Sequence, residues 1–133
     1  RKLKHRYCEL CDDGYRADEI AALFTEDGVW DAGPGFGRHE GRAAITAFFR
    51  TMPQHVSFSG HMVLNDQIEV EGDRARGRWR SIIPCTFVID GKPEPSWIFG
   101  AYDDEFVRID GRWYFAVLRS AIRRMAGHHA GWE

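Results

Sequence analysis

The sequence predicts one α+β domain, a cone-shaped α+β barrel in which about three helices pack into a strongly curved, mostly antiparallel sheet. Helical periodicity is confined to roughly the first 50 residues, whereas long β segments separated by turn signals follow from Ser57 onward. A chain of 133 residues is too short for two full domains. Aromatic residues make up 14% of it, more than a minimal core requires, which favours a lined cavity inside the cone.

The first helix is predicted over Leu3 to Asp13. Its buried face would be formed by four residues at spacings of four, three and one: Leu3, Tyr7, Leu10 and Cys11. The same pattern leaves three charged residues outward: Lys4, Arg6 and Glu9. The pair Cys8-x2-Cys11 lies within this helix without a second ligand pair at zinc-site spacing, so we expect two partly buried thiols.

A second helix is expected after Gly14, with Asp18 as its cap and a short buried stripe: Ile20, Ala21, Leu23 and Phe24. Residues 25–28 then predict a turn and residues 29–31 a short strand. A glycine-rich loop follows, and a third helix is predicted over Arg42 to Arg50. The glycines match neither G-x-G-x-x-G nor the P-loop pattern, which argues against a nucleotide site.

The second half of the chain contains three hairpin turn signals, centred on Gly72, Gly91 and Gly111. They imply about four long antiparallel strands. In the second of these strands four arginines alternate with small residues and Trp79, so one face should be solvated and the other buried: Arg74, Arg76, Arg78 and Arg80. Residues 1–122 are therefore predicted as one domain, and the aperiodic residues 123–133 as a C-terminal tail.

Charge and composition exclude several classes of partner. A net charge of −2 gives no general reason to expect nucleic acid, and the apolar runs are far shorter than the roughly 20 residues of a membrane helix. Three cysteines and a basic start that leads into a polar segment favour a reduced, cytoplasmic location. The adjacent His128 and His129 lack a metal-ligand pattern, so neither a metal nor another cofactor is expected.

Among the six histidines, His61 is the one that falls in a strand pattern and is able to face an interior. An imidazole there is suited to act as a general base. Asp12, near the end of the first helix, is a candidate to orient it, since a carboxylate that accepts the Nδ1–H fixes the tautomer. The alternative is structural: a core or rim histidine bonded to a backbone carbonyl, and a helix-end Asp12 that pairs with Arg16 or caps the next turn.

A family resemblance is carried by six motifs in order along nearly the whole chain. They are Tyr7-x4-Asp12, the run from Leu23 to Trp30, Gly41-Arg42-x2-Ile45, His61-Met62-x2-Asn65, Gly72-Asp73-x-Ala75 and Tyr102-x5-Arg108-x-Asp110-Gly111-x-Trp113. In that arrangement the chain resembles a SnoaL-like domain of the nuclear transport factor 2-like superfamily. Because this superfamily hosts both enzymes and noncatalytic subunits, the resemblance does not name a reaction.

The resemblance implies a site as well as a fold. Scytalone dehydratase and hexachlorocyclohexane dehydrochlorinase use an Asp of the first helix and a strand His, which match Asp12 and His61, although Asp13 leaves the register open by one residue. Scytalone dehydratase has a second pocket histidine on a later strand, whereas this chain has none between His61 and His128. Other aromatic residues are candidates to line the pocket: Tyr7, Trp30, Trp79, Trp97 and Tyr102.

These observations predict a small cofactor-independent lyase or isomerase that binds an apolar, cyclic molecule and abstracts a proton with a His–Asp dyad. A site similar to that of ketosteroid isomerase would use Tyr7 and Asp104, but the position of its general base is occupied by Ala32. The competing class is a noncatalytic binding or assembly subunit that resembles the β subunit of a ring-hydroxylating dioxygenase. Both classes predict a homodimer or homotrimer formed through the outer sheet face.

Overall fold

The computed structural model describes residues 1–131 and places four helices against one strongly curved mixed sheet. The helices are α1 (Lys2–Asp12), α2 (Ala17–Ala22), α3 (Gly33–Phe36) and α4 (Arg42–His55). The strands are β1 (Phe24–Asp31), β2 (Arg38–Glu40), β3 (Val56–Ser59), β4 (Met62–Glu71), β5 (Arg74–Ile89), β6 (Lys92–Ile109) and β7 (Arg112–Gly127). The predicted α+β class is confirmed.

The sheet has the order β2-β1-β7-β6-β5-β3, and β4 also pairs with β5. All three predicted hairpin turns are present, and they connect β4, β5, β6 and β7 as four long antiparallel strands. Strand β1 instead pairs with β7 in parallel. Strands β3 and β4 lie along different parts of β5, so the connection between them, residues 60 and 61, interrupts this edge of the sheet.

The concave face of the sheet is apolar and is covered by α1, α2 and α4. On β5 the arginine row is exposed and the alternate residues from Trp79 to Cys85 are buried, as the alternation predicts. The helices contribute six hydrophobic side chains to the core that are at most 2% exposed: Tyr7, Leu10, Cys11, Ile20, Ile45 and Phe49. This packing fixes the end of α1 beside the interrupted edge of the sheet.

Several local predictions were wrong. Residues 25–28 are not a separate turn, because β1 already begins at Phe24 and contains an irregularity in its pairing with β7. Asp18 does not cap α2, which begins one residue earlier at Ala17. Helix α4 continues past Arg50 to His55, since Met52 extends the buried stripe of this helix.

The predicted tail also differs from the structure. Strand β7 runs through residues 123–127 and pairs there with the first part of β6, so the predicted boundary at residue 122 falls inside a strand. Residues 132 and 133 of the predicted tail lie outside the described residues. The glycine-rich loop contains α3 and β2, two short elements for which the sequence showed no periodicity.

Within residues 1–131 no helix is both long and apolar enough to cross a membrane. All three cysteines, Cys8, Cys11 and Cys85, are buried and free.

Candidate active site

The concave sheet and the helices enclose a cavity, called here the cone cavity. Seven aromatic side chains line it: Tyr7, Tyr15, Trp30, Phe36, Phe49, Phe87 and Tyr102. Aliphatic and sulfur-containing residues complete the apolar wall: Ala32, Met52, Val56, Ile83, Cys85, Ile98, Ala121 and Ile122. Gly100 also lies on the wall, together with three polar side chains: His61, Ser81 and Ser120.

The cone cavity has room for one small ring. The centres of water-sized spheres can occupy about 60 Å³ of it. One water needs roughly 10–15 Å³ of volume measured in this way, so the cavity has room for roughly four to six waters. Because each water occupies about 30 Å³ in the liquid, these waters would fill about 120–180 Å³. An apolar cavity of about 150 Å³ accepts benzene.

His61 and Asp12 are in direct contact at the edge of the cone cavity. The Nδ1 atom of His61 lies 2.6 Å from Oδ1 of Asp12. The backbone N–H of His61 donates to Oδ1 and Oδ2 of the same carboxylate, at 3.0 and 2.9 Å. The hydroxyl of Ser59 donates to Oδ1 at 3.2 Å. Asp12 therefore holds both the backbone and the ring of His61.

The local fold explains this contact. Asp12 is the last residue of α1. His61 was predicted in a strand, but it lies in the connection between β3 and β4. The N–H of Gly60 donates to the carbonyl of Pro84 at 2.9 Å, which attaches this connection to β5. The carboxylate at the helix end and the imidazole in the connection are thus each held by a regular element.

The structure distinguishes the two adjacent carboxylates. Asp12 reaches His61, whereas Asp13 lies outside the helix and accepts a hydrogen bond from Arg16 at 3.1 Å. Arg16 also pairs with Glu19. The structural alternative, in which Asp12 pairs with Arg16 and His61 bonds a backbone carbonyl, does not describe these contacts.

The second ring nitrogen of His61 is the one left for a ligand. The imidazole side chain is only 9% exposed and lies on the cavity wall, where Tyr15 packs against it edge to face at 6.4 Å between ring centroids. A neutral imidazole that donates its Nδ1–H to Asp12 carries its lone pair on Nε2. Within residues 1–131 no hydrogen bond occupies Nε2, so it is available to accept a proton.

Three of the five predicted pocket residues line the cone cavity: Tyr7, Trp30 and Tyr102. Trp79 and Trp97 do not. Trp79 lies on β5 two residues before Ser81, the first wall residue of that strand, and is buried against Phe106 and close to Lys4. Trp97 alternates with Ile98, which is a wall residue, and it donates from Nε1 to His128 at 3.0 Å.

Sequence reasoning missed much of the wall. On β5 the missed residues are Ser81, Ile83 and Cys85, which share the buried parity of Trp79 and were detectable from that alternation. Ser120 on β7 and Phe36 on α3 carried no such signal, because their places depend on pairing and loop geometry. The apolar wall is therefore more continuous than the five predicted aromatic residues indicated.

Lys4 is buried, contrary to the prediction that it faces outward. Its side chain and that of Asp104 on β6 are both 0% exposed, and Nζ lies 2.9 Å from Oδ2. The Lys4 ammonium also lies 3.2 Å from the centroid of the Tyr102 ring. Burial lowers the pKa of Lys4 and raises the pKa of Asp104 to about 6, and each charge partly offsets the shift of the other.

Other titratable groups on the cavity wall are held neutral by burial. Burial raises the pKa of Tyr7 and of Tyr102 well above their usual values, and it also raises the pKa of Tyr15. The pKa of the Cys85 thiol is raised to about 11 for the same reason. These groups therefore contribute hydrogen bonds and apolar surface rather than formal charge.

The observed side chains do not form a site similar to that of ketosteroid isomerase. Asp104 pairs with Lys4 and does not line the cone cavity, and the expected base position is occupied by Ala32 on the wall. Tyr7 accepts a hydrogen bond from Nε1 of Trp30 at 2.9 Å. Among the described residues no group of three or more His, Cys, Asp or Glu side chains is placed to hold a metal ion.

The fold is shared with solved structures of known and candidate enzymes. A candidate scytalone dehydratase from Novosphingobium aromaticivorans is 23% identical with a TM-score of 0.82, covering 98% of this chain and 86% of that chain. A candidate aromatic ring hydroxylase from the same organism is 25% identical with a TM-score of 0.85, covering 95% and 88%. The type 3 hexachlorocyclohexane dehydrochlorinase of Novosphingobium barchaimii is 20% identical with a TM-score of 0.81, covering 94% and 84%.

At 20% and 23% identity the likeness to the two named lyase types shows a common fold. A comparison with curated protein sequences finds no match. The SnoaL-like domain family, in contrast, matches residues 1–119. Because that match spans most of the chain and agrees with the observed architecture, the chain belongs to the SnoaL-like family within the nuclear transport factor 2-like superfamily.

Proposed function

We propose that this protein is a cofactor-independent lyase or isomerase that removes a proton from an apolar cyclic small molecule in the cone cavity. The observation that carries the proposal is the contact between Asp12 and His61, with the imidazole on the wall of an aromatic cavity. His61 is the general base, and Asp12 is the positioning residue that orients its ring. Family membership supports a small-molecule lyase or isomerase.

The chemistry follows from the geometry of this pair. Nε2 of His61 takes a proton from a carbon of the bound molecule, and the electron pair of that C–H bond forms a new double bond. Asp12 stabilises the imidazolium through its bond to Nδ1. If a group leaves from the neighbouring carbon, the reaction is an elimination. In an isomerisation the π electrons of an adjacent carbonyl of the substrate shift onto its oxygen to give an enolate, and His61 returns the proton to another carbon as the carbonyl re-forms.

Proton removal can be tested before the natural substrate is known. The protein is incubated in D₂O with cyclohexanone and 2-cyclohexenone, and deuterium incorporation is followed by NMR. We expect exchange above the buffer rate for the native protein and a decrease of roughly 10²–10⁴-fold in His61→Ala, the range for general acid–base catalysis. His55→Ala is the matched control, since His55 is an exposed histidine in the last turn of α4.

If His61→Ala exchanges these ketones as fast as the native protein, His61 is not the base. If only His55→Ala slows exchange, the proton is removed at a different place. Loss of exchange in both variants points to a folding defect, which circular dichroism of each variant detects independently.

A noncatalytic assembly subunit is the second candidate function. The observation that favours it is the 25% identity and TM-score of 0.85 with a candidate aromatic ring hydroxylase. If the protein is such a subunit, the isolated chain should have no exchange activity and should form a stable complex with a larger catalytic subunit. Exchange or turnover by the purified chain alone, dependent on His61, would exclude it as the main function.

A further inference from the structure

The hydroxyl of Ser81 is a polar group on the wall of the cone cavity to which the described residues donate or offer no hydrogen bond. Ser81 lies on β5, is 2% exposed and lines the cone cavity. Within the described part of the chain its side chain makes no hydrogen bond. Buried hydroxyls normally have a partner, and one without a partner requires an explanation. A bound ligand on the cavity side supplies such an explanation.

Other polar groups of the wall already have partners. The Tyr7 hydroxyl accepts from Trp30, and the Tyr102 hydroxyl is bonded to Ser120. Ser81 therefore differs from the hydroxyls around it, because its hydrogen-bonding capacity is left for something in the cavity. The hydroxyl is also able to donate or to accept.

The residue opposite Ser81 on the neighbouring strand has no side chain that could cover this hydroxyl. Gly100 on β6 is the register partner of Ser81 and also lies on the cavity wall. A Cβ atom at position 100 would lie 3.1 Å from Oγ of Ser81 and 2.6 Å from the carbonyl oxygen of Ala121. A side chain at position 100 would therefore collide with the backbone of β7 and crowd the Ser81 hydroxyl, and glycine leaves that hydroxyl uncovered on the cavity wall.

The charge of the wall restricts what binds there. No Lys, Arg, Asp or Glu side chain is among the described residues that line the cone cavity. Burial raises the pKa of Tyr7, Tyr102 and Cys85, so these wall groups stay neutral. An ionised ligand without a counter-charge would be strongly disfavoured in this cavity.

We propose that Ser81 is a ligand-binding residue that hydrogen-bonds the oxygen of an uncharged, one-ring substrate in the cone cavity. That the bound molecule is a substrate rests on the proposed function, but its binding requires no turnover. The expected ligand is a neutral ring of about six atoms with one hydroxyl or carbonyl oxygen. Ser81 determines the preference for that oxygen.

Binding of three simple probes tests this. Phenol, toluene and benzoate have one ring each and differ in an oxygen or a charge, and their affinities are measured by isothermal titration calorimetry. The ratio of phenol to toluene affinity should fall roughly fivefold in Ser81→Ala, the contribution of about one neutral hydrogen bond. Ser96→Ala is the matched control, because Ser96 is also buried on the sheet but bonds the carbonyl of Glu94.

Stability provides a second readout. Removing an unpartnered buried hydroxyl should leave the urea midpoint of Ser81→Ala unchanged or higher, whereas a structural role for the hydroxyl would lower it. An unchanged phenol-to-toluene ratio in Ser81→Ala would overturn the proposal, and so would benzoate binding as tightly as phenol. Phenol binding with the expected ratio in a protein that exchanges no ketone protons would leave the Ser81 site intact and defeat only the proposed function.

Discussion

At the scale of single residues, the candidate site depends on how Asp12 holds His61. The carboxylate accepts from the ring and from the backbone N–H of His61, so it determines the position of the connection and the tautomer together. A carboxylate in this role stabilises the charged imidazole without contacting the ligand. Asp12 is 33% exposed and does not line the cone cavity, which fits a positioning residue.

Asp12→Asn should slow ketone exchange by roughly 10²-fold or more, because an amide cannot supply the charge that stabilises the imidazolium. Its oxygen is still able to accept from the backbone N–H of His61, so the fold should be retained. Exchange is measured in D₂O as for His61→Ala, across pH 5 to 9. Since Asp12 acts through His61, the pH profile should change shape as well as height.

The neighbouring Asp13→Asn is the control for this substitution, because Asp13 is exposed and bonds Arg16. Equal effects of the two substitutions would indicate a general loss of negative charge at the end of α1. A profile for Asp12→Asn that is lower but otherwise unchanged would favour a structural role for Asp12.

Single residues also show where sequence reasoning failed. Asp12 and His61 were selected by residue type and family resemblance, and the structure places them in contact although His61 is not in a strand. Trp97 was selected by type alone, and its parity on β6 places it away from the cavity wall. The alternation on β5 placed Ser81 on the buried face, but a serine there carries no chemical signature that marks it as a ligand contact.

At the scale of elements, the Lys4–Asp104 pair connects α1 to β6 within the core. The helical period places Lys4 on the buried face of α1, the face of Tyr7 and Cys11. The period thus predicts a buried Lys4, whereas its charge predicts an exposed one. Its partner lies 100 residues away in the sequence, and no local pattern predicts such a pairing. A lysine with its charge paired and packed on aromatic rings is able to remain buried.

This pair should make stability depend on pH. The folded-state pKa of Asp104, about 6, exceeds its usual value of 3.8, so the folded protein binds a proton between these pH values that the unfolded chain does not. Its contribution to the free energy of unfolding is therefore fully present below pH 3.8 and is lost as pH rises through 6. Relative to Asp104→Asn, the native protein should gain stability as pH falls from 7 to 4.

Urea unfolding of both proteins at pH 7, 5.5 and 4 measures this difference, and comparing the two removes the titration of other carboxylates. Asp103→Asn is a suitable control, because Asp103 is on the opposite face of β6 in a pair with Arg76. Parallel pH dependence of the native protein and Asp104→Asn would show that Asp104 does not titrate in this range.

The elements themselves were predicted where a local signal determines them. The three hairpins contain Gly-Asp or Asp-Gly pairs between long alternating strands, and each turn forms at its predicted place. The parallel pairing of β1 with β7 depends on contacts distant in sequence, and the three-residue strand β2 is recognisable only from its pairing with the neighbouring β1. Such elements form because the fold brings them against a neighbour, and propensity alone does not predict them.

At the scale of the whole molecule, curvature of the sheet connects fold and candidate function. The inner faces of β5, β6 and β7 form the cavity wall, while their outer faces are charged on β5 and partly apolar at the edge formed by β3 and β4. Phe58, Met62 and Leu64 are 58%, 47% and 42% exposed. Their partners on β5 are Thr86, Ile82 and Arg80, which alternate with the buried residues, so all three belong to the outer face.

We expect this outer apolar patch, Phe58, Met62 and Leu64, to be covered in a homodimer or homotrimer, because apolar side chains grouped on one face favour association. Light scattering coupled to size-exclusion chromatography should give two or three times the mass of the 15.3 kDa chain. The double substitution Met62→Glu and Leu64→Glu should shift the protein toward monomer by placing charges in the contact. Ile109→Glu, at a distant hairpin, should leave the mass unchanged. A native protein that is monomeric at high concentration would contradict the expectation, and a double variant with native mass would move the interface to another face.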